Sequence, residues 1–367
     1  MNRKIITAGV LCLDITPVFG TQKEFSEPGE LLAPGKQIMM KPADVSTGGC
    51  VANTGLALKF LGNDSVLMGK VGNDEFGDIV KRILKKHDVG GIITDNEGST
   101  SYSVILAIPG VDRIFLHSAG GNDTFCKKDI PGKDLEGAAM FHFGYPPLMR
   151  RMYENDGAEL ESIFKYVKEK GISTSLDFAV IDPDSDAGRA DWRLILKRVL
   201  PYVDFFVPSI EEVIYMLDRP KYERLRSNGG DMIDLIEINK DVIPYAEELL
   251  SMGCKAVLLK CGTRGMYLKT GDMTGIGENL EFDAEVWKNK EIYQPCFKAQ
   301  AVRSATGAGD TSIAAFLTSV MLGKEPEKAV ALAAAEGACA VTSYDALGGL
   351  KTIDELEEKL ASGWELN

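Results

Sequence analysis

The chain is poor in histidine and has no paired cysteines. Its three histidines, His87, His117 and His142, lie far apart from one another and from every cysteine, so no metal-ligand spacing is present. The seven cysteines (Cys12, Cys50, Cys126, Cys254, Cys261, Cys296, Cys339) are odd in number and never form C-x-x-C, which argues against a disulfide framework and for reduced thiols. A cytoplasmic location is the expectation. No long apolar run occurs, and Met1–Val10 lacks an apolar stretch with a cleavage site, so neither a membrane span nor a secretion signal is expected. Positive charge is in deficit as well: 41 Lys plus Arg face 54 Asp plus Glu, and the net charge of -13 excludes a surface that tracks nucleic-acid phosphates. Any bound polyphosphate must be met by local donors. Lys36, Lys70, Lys133 and Lys324 each follow a glycine, but none precedes Ser or Thr, so there is no P-loop. The dinucleotide fingerprint is missing too, because Leu11, Cys12, Leu13 and Asp14 follow the first apolar run. The run Asp182 to Gly188 has Ala187 and Arg193 where a calcium loop needs Gly and Glu, and reads as a solvated loop.

What is present is alternation. IITAGVLCLDI (Ile5 to Ile15) reads as one buried strand with Asp14 at its C-terminal end, and VANTGLALKFLG as the helix after an irregular segment. The same exchange of strand and helix recurs from AAMFHFG to KAVLLKCG, with Gly62, Gly171 and Gly253 placed as C-terminal caps. Such a pattern predicts an α/β fold of three layers, a mostly parallel central sheet covered on both faces, as a single domain over residues 1–367. Ligands in such sheets bind beyond the C-terminal ends of the strands. Two stretches break the rhythm, about 16–46 and 98–122, the second holding two strands joined by a turn at Gly110 to Asp112. They are expected to pair into a small β lid over the site, which would keep water from a reacting nucleotide. Residues 218–241 read as an insertion and carry no assigned chemistry.

The most informative stretch is RSATGAGDTSIAAFL, Arg303 to Leu317. Small residues let backbone N–H groups approach an anion, and a helix N-terminus favours negative charge there. An acid, Asp310, at that place suits a reacting hydroxyl better than a pure phosphate cradle.

With GGCVANTGLALKFLG near the start and TGAGDTSIAAFL near the end, the chain resembles the ribokinase-like carbohydrate kinases, the PfkB family, over nearly its whole length. Gly48, Gly49 and Asn53 match G-G-x-x-x-N; Gly307, Ala308, Gly309 and Asp310 match G-A-G-D. The resemblance implies transfer of the γ-phosphoryl group of ATP to a hydroxymethyl of a sugar or similar alcohol, with Mg²⁺. It makes Asp310 the base and the turn Gly307, Ala308, Gly309 the anion hole. It makes Asp14, Gly48, Gly49 and Asn53 acceptor ligands, joined by Asn122 of the GGND segment.

Three departures carry expectations of their own. Ser209, Ile210, Glu211 and Glu212 stand where many relatives have N-x-x-E, which leaves Glu212 to hold Mg²⁺ through water and Ser209 on the nucleotide side. Lys260 replaces a frequent threonine ahead of Gly262; it reaches a phosphate or points to solvent, and the sequence leaves both open. Ser304 replaces an acid that helps relatives hold potassium, so monovalent-cation activation is not expected. The rival readings are a catalytically silent sensor of a sugar or nucleotide, and a kinase for nucleosides or sugar phosphates, for which Arg113 is the one cation to name. No nucleic-acid or membrane partner is expected, and pairing of exposed lid strands points to a homodimer.

Overall fold

Neighbouring residues on the central strands leave for opposite cores. Ile5, Met140, Phe205 and Leu258 pack into one, and Ile6, Phe141, Phe206 and Val257 into the other, which is why these strands read as unbroken apolar runs. A computed structural model of the chain describes residues 4–21, 23–111, 113–277 and 279–367. Met1 to Arg3 of the N-terminal stretch and Asp112 of the expected turn lie outside the described residues.

Strands β1 (Lys4–Gly9), β2 (Cys12–Phe19), β3 (Met40–Gly48), β4 (Asp64–Met68), β5 (Lys70–Gly72), β6 (Ile93–Asp95), β7 (Tyr102–Leu106), β8 (Ile114–Ser118), β9 (Met140–Gly144), β10 (Ser173–Asp177), β11 (Phe205–Phe206), β12 (Ala256–Lys260), β13 (Met266–Thr270) and β14 (Glu291–Gln294) form three sheets. The large sheet has eight strands in the order β14-β13-β12-β11-β10-β9-β1-β4. It is parallel except for β13, which runs antiparallel to β12, and β14, which runs antiparallel to β13. A separate four-stranded sheet has the order β3-β2-β7-β8, and β5 pairs with β6.

Helices α1 (Gly49–Phe60), α2 (Glu75–Lys85), α3 (Ala158–Lys168), α4 (Trp192–Val199), α5 (Ile210–Leu217), α6 (Ile243–Ser251), α7 (Ala308–Met321) and α8 (Pro326–Ala340) supply the outer layers. α3 to α6 cover one face of the large sheet, around Phe141, Phe143 and Phe164. α1, α7 and α8 cover the other, where Phe205 meets Phe316 edge-on at 6.0 Å between ring centroids. Alanines of both helices, among them Ala314, Ala315, Ala329 and Ala333, are buried in this second core. Gly62, Gly171 and Gly253 all have positive φ and end their helices, again as the sequence predicts.

The first apolar run is where the fold departs from expectation. It is two strands in two sheets: β1 ends at Gly9 and β2 begins at Cys12. Asp14 therefore lies inside the small sheet, paired with Ser46 and Ser103, and does not end the first strand. The chain crosses at Val10 and Leu11. There Val51 N–H donates to Val10 O at 3.1 Å, and Gly49, at φ +82, leaves no room for a side chain against Val10 O. SVLMGKV likewise splits into β4 and β5.

The stretch 218–241 is more ordered than its composition suggests. It holds a helix over Arg219–Ser227 and a short turn over Met232–Leu235 that packs on Gly262 and Arg264.

Candidate active site

Asp310 sits in the first turn of α7, 4 % exposed, and three side chains donate to its carboxylate. Thr54 Oγ1 reaches Oδ1 at 3.0 Å and Asn53 Nδ2 reaches Oδ2 at 3.1 Å, both from α1. The Tyr145 hydroxyl lies 2.7 Å from Oδ1 and 2.8 Å from Oδ2. Gly307, at φ +74, turns the chain into the helix, and any Cβ there would collide with Ala346. The first N–H groups of α7 have no intrahelical carbonyl and present a positive end beside this acid.

Lys260 supplies the positive side chain of the site. It ends β12 and turns inward, its Nζ 2.7 Å from Asp177 Oδ1 and close to the backbone of Gly309. Of the two readings the sequence left open, the solvent-pointing one does not hold. Burial would lower the Lys260 pKa, but Asp177, Glu212 and Asp310 more than offset it and hold the ammonium charged. The same burial pushes the Asp177 and Glu212 carboxyls above their ordinary values, opposed by the Lys260 charge. Three carboxyls thus share one ammonium, and burial still leaves Asp177 pushed up to about 8.

Ser209 and Glu212 form a capping box at the start of α5: Glu212 N–H donates to Ser209 Oγ at 3.3 Å, and Ser209 N–H to Glu212 Oε2 at 2.8 Å. Ser209 is thereby committed to the helix, while Glu212 keeps its second oxygen. Among the described residues no group of three His, Cys, Asp or Glu is placed to hold a metal ion by itself. Mg²⁺ commonly keeps several waters and leans on substrate phosphates with one or two carboxylates, and buried Glu212 would be available to it.

Asp14 is built differently. Its carboxylate lies against Gly48, where a Cβ would fall 2.1 Å from Oδ2, and the Cys12 thiol donates to Oδ1 at 3.3 Å. Burial raises its pKa, opposed by Cys12 and Ser103. The next strand continues the polar row, with Ser103 Oγ 3.0 Å from His117 Nδ1. Since α1 begins at Gly49 and carries Asn53 and Thr54, five residues of helix, roughly 8 Å, join the Asp14 end of the site to the Asp310 end.

Not every expected residue takes the expected place. Asn122 is fully buried, and both ends of its amide are spent on the Leu11 backbone, each at 3.2 Å. It clamps the crossing between sheets. Asn53 faces Asp310. Arg113 donates to Ser304 Oγ at 3.4 Å, and Ser304 also accepts from Thr306 N–H at 3.1 Å. Gly262, at φ +51, forms a turn against Ile233. Thr54, Tyr145 and Asp177 were not read from the sequence. The signal was there for two of them: Asp177 ends a central strand and Tyr145 follows one, where ligands of parallel sheets bind. A surface hollow of about 610 Å³, lined by Glu237, Arg264 and Tyr293 among others, includes none of these residues.

The profile of the pfkB family carbohydrate kinases matches residues 15–353. The chain belongs to this family. As a member it is a sugar kinase, a phosphotransferase with the ribokinase-like α/β fold. A probable fructokinase-5 of Arabidopsis thaliana is 25 % identical over 98 % of this chain and 97 % of its own length. The fructosamine kinase FrlD of Bacillus subtilis is also 25 % identical, over 87 % of this chain and 93 % of its own. Among solved structures, Arabidopsis thaliana ribokinase complexed with ribose and ATP superposes with a TM-score of 0.71 at 20 % identity, covering 98 % of this chain and 99 % of that one. A putative ribokinase II from E. coli in complex with ATP and Mg²⁺ gives 0.70 at 19 % identity, covering 99 % and 100 %. Among the described residues no helix is long and apolar enough to cross a membrane.

Proposed function

We propose that this sugar kinase transfers the γ-phosphoryl group of ATP to a hydroxymethyl group of a free sugar or related small alcohol, with Asp310 as the base. The observation that carries the reading is the seat of Asp310: a buried carboxylate at a helix N-terminus, directly after the Gly307–Gly309 turn and beside Lys260. The acceptor oxygen forms its bond to the γ-phosphorus as the bond to the β–γ bridging oxygen breaks, and its proton passes to Asp310. The amides at the head of α7 and the Lys260 ammonium stabilise charge on the transferred group. Glu212 would hold Mg²⁺ through water beside the ATP phosphates, where the ion would neutralise phosphate charge. Asp14 accepts two acceptor hydroxyls, Gly48 makes room for its carboxylate, and Gly262 lies on the nucleotide side.

The sheet β3-β2-β7-β8 acts as the lid in this account. The sheet leaves Val45, Phe115 and Leu116 exposed, apolar side chains that a second copy of the chain would cover. Sedimentation at micromolar concentration tests the dimer, and a monomer there discards it. A silent sensor has no use for a base supplied with three donors, which favours the enzyme. Arg113 is engaged with Ser304 at the anion turn, which favours a free sugar over a sugar phosphate. The test is ADP release from Mg-ATP with a panel of hexoses, pentoses, fructosamine and nucleosides; turnover confined to nucleosides, or absent throughout, overturns the proposal.

A further inference from the structure

The base already holds a hydroxyl. A single phenol proton, from Tyr145, is shared between both oxygens of Asp310, at 2.7 and 2.8 Å. Thr54 and Asn53 each occupy a further position, one on each oxygen. A carboxylate offers about four acceptor positions, so little is left for an incoming alcohol unless one donor withdraws. Tyr145 is the donor that matches the alcohol in kind, a neutral O–H on carbon. Burial, then the charges of Asp310 and Asp177, hold its phenol well above the ordinary tyrosine value, so it stays a neutral donor.

Its perch is unusual. Tyr145 has φ 66 and ψ 42, a left-handed conformation that costs energy in a residue other than glycine and is kept where the surroundings demand it. The backbone is pinned by Tyr145 N–H donating to Asp177 O at 3.3 Å and by the buried Pro146 and Pro147. The residue as a whole is partly exposed, while its hydroxyl is buried.

We propose that Tyr145 is a placeholder for the acceptor: its hydroxyl caps Asp310 until a sugar hydroxymethyl displaces it, and meanwhile keeps water off the base. The reaction it suppresses is hydrolysis. In that reaction a water oxygen bonds to the γ-phosphorus of ATP, the bond to the β–γ bridging oxygen breaks, the water proton goes to Asp310, and ADP and phosphate leave. Tyr145 acts through the base and is a positioning residue. The inference rests on Asp310 being that base.

The experiment measures ADP release in Mg-ATP alone, with no sugar, for the wild type, Tyr145→Phe, Asp310→Asn and the double variant. Tyr145→Phe should raise the rate by roughly fivefold or more, the scale of one net hydrogen bond, and the double variant should return to the wild-type level or below. A merely structural tyrosine would loosen Asp310 and lower the rate, so no rise in Tyr145→Phe overturns the placeholder alone. A rise that persists in the double variant overturns Asp310 as the base, and the inference with it. Circular dichroism checks folding; if Tyr145→Phe does not fold, Tyr145→Met carries the same expectations.

Discussion

Asp310 and Asp14 are the two acids of the site, and they differ in what the protein offers them. Asp310 is surrounded by donors: a threonine, an asparagine and a tyrosine, with the head of a helix behind it. Asp14 receives the Cys12 thiol, a weak donor, and the Ser103 hydroxyl, with a glycine cleared away in front of its carboxylate. A carboxylate that the fold has already satisfied is held for one task at one place. One that burial raises and few donors relieve is short of hydrogen bonds, and under the proposed function sugar hydroxyls would supply them. The two sheets divide accordingly. The strand ends of the large sheet and α7 carry Asp177, Lys260 and Asp310, and the small sheet carries Asp14.

The largest effect separates these roles. Asp310→Asn should retain the fold and the KM for ATP and lose at least about 100-fold in kcat, the lower range for removing a general base. Steady-state kinetics check it, and near-normal turnover would end the distinction. Next comes Asp14→Ala, which removes up to two charge-assisted hydrogen bonds of about 1.5–3 kcal/mol each. The acceptor KM should rise on the order of ten- to a hundredfold while the KM for ATP moves little, with Asp14→Asn milder. An unchanged acceptor KM would place the sugar elsewhere.

How far the site could be read in advance follows the same line. The glycines and acids of GGCVAN and TGAGDTS were legible because backbone geometry demands those residue types: Gly49 and Gly307 both have positive φ, and Gly48 faces Asp14. The strand break at Leu11 was not, because its cause, Asn122, is distant in sequence and acts through the Leu11 backbone. Tyr145 and Thr54 were missed for a related reason. Their partner Asp310 is 165 and 256 residues away, and the left-handed backbone that sets Tyr145 apart appears only in the structure. The pair Ser209 and Glu212 shows the opposite risk, since a motif position expected to serve a metal first serves a helix cap.

A third carboxylate sharpens the comparison. Glu336, in α8, is fully buried and accepts only backbone among its described hydrogen bonds, from Lys351 N–H at 3.1 and 3.3 Å. Burial pushes it up to about 8, the Lys351 contacts opposing. A folded-state value above the unfolded one means the contribution to stability is whole below about pH 4.5 and is lost as pH rises through about 8. Glu336→Gln should therefore gain in Tm relative to the wild type between pH 5 and pH 8.5, measured by thermal unfolding; a pH-independent difference would show that Glu336 carries no such cost. The smallest effect is a null one. With the Ser304 hydroxyl taken up by Thr306 and Arg113, replacing potassium by a large organic cation at equal ionic strength should change turnover little. A strong potassium dependence would show that other groups build a cation site there.

The most direct test of the account follows phosphorus itself, by ³¹P NMR of Mg-ATP with each sugar of the panel. The wild type should produce a new phosphomonoester in step with ADP for at least one free sugar, and Asp310→Asn should leave the ATP signals intact over the same time. Transfer that persists in Asp310→Asn, or ADP accompanied only by inorganic phosphate with every sugar, would contradict it.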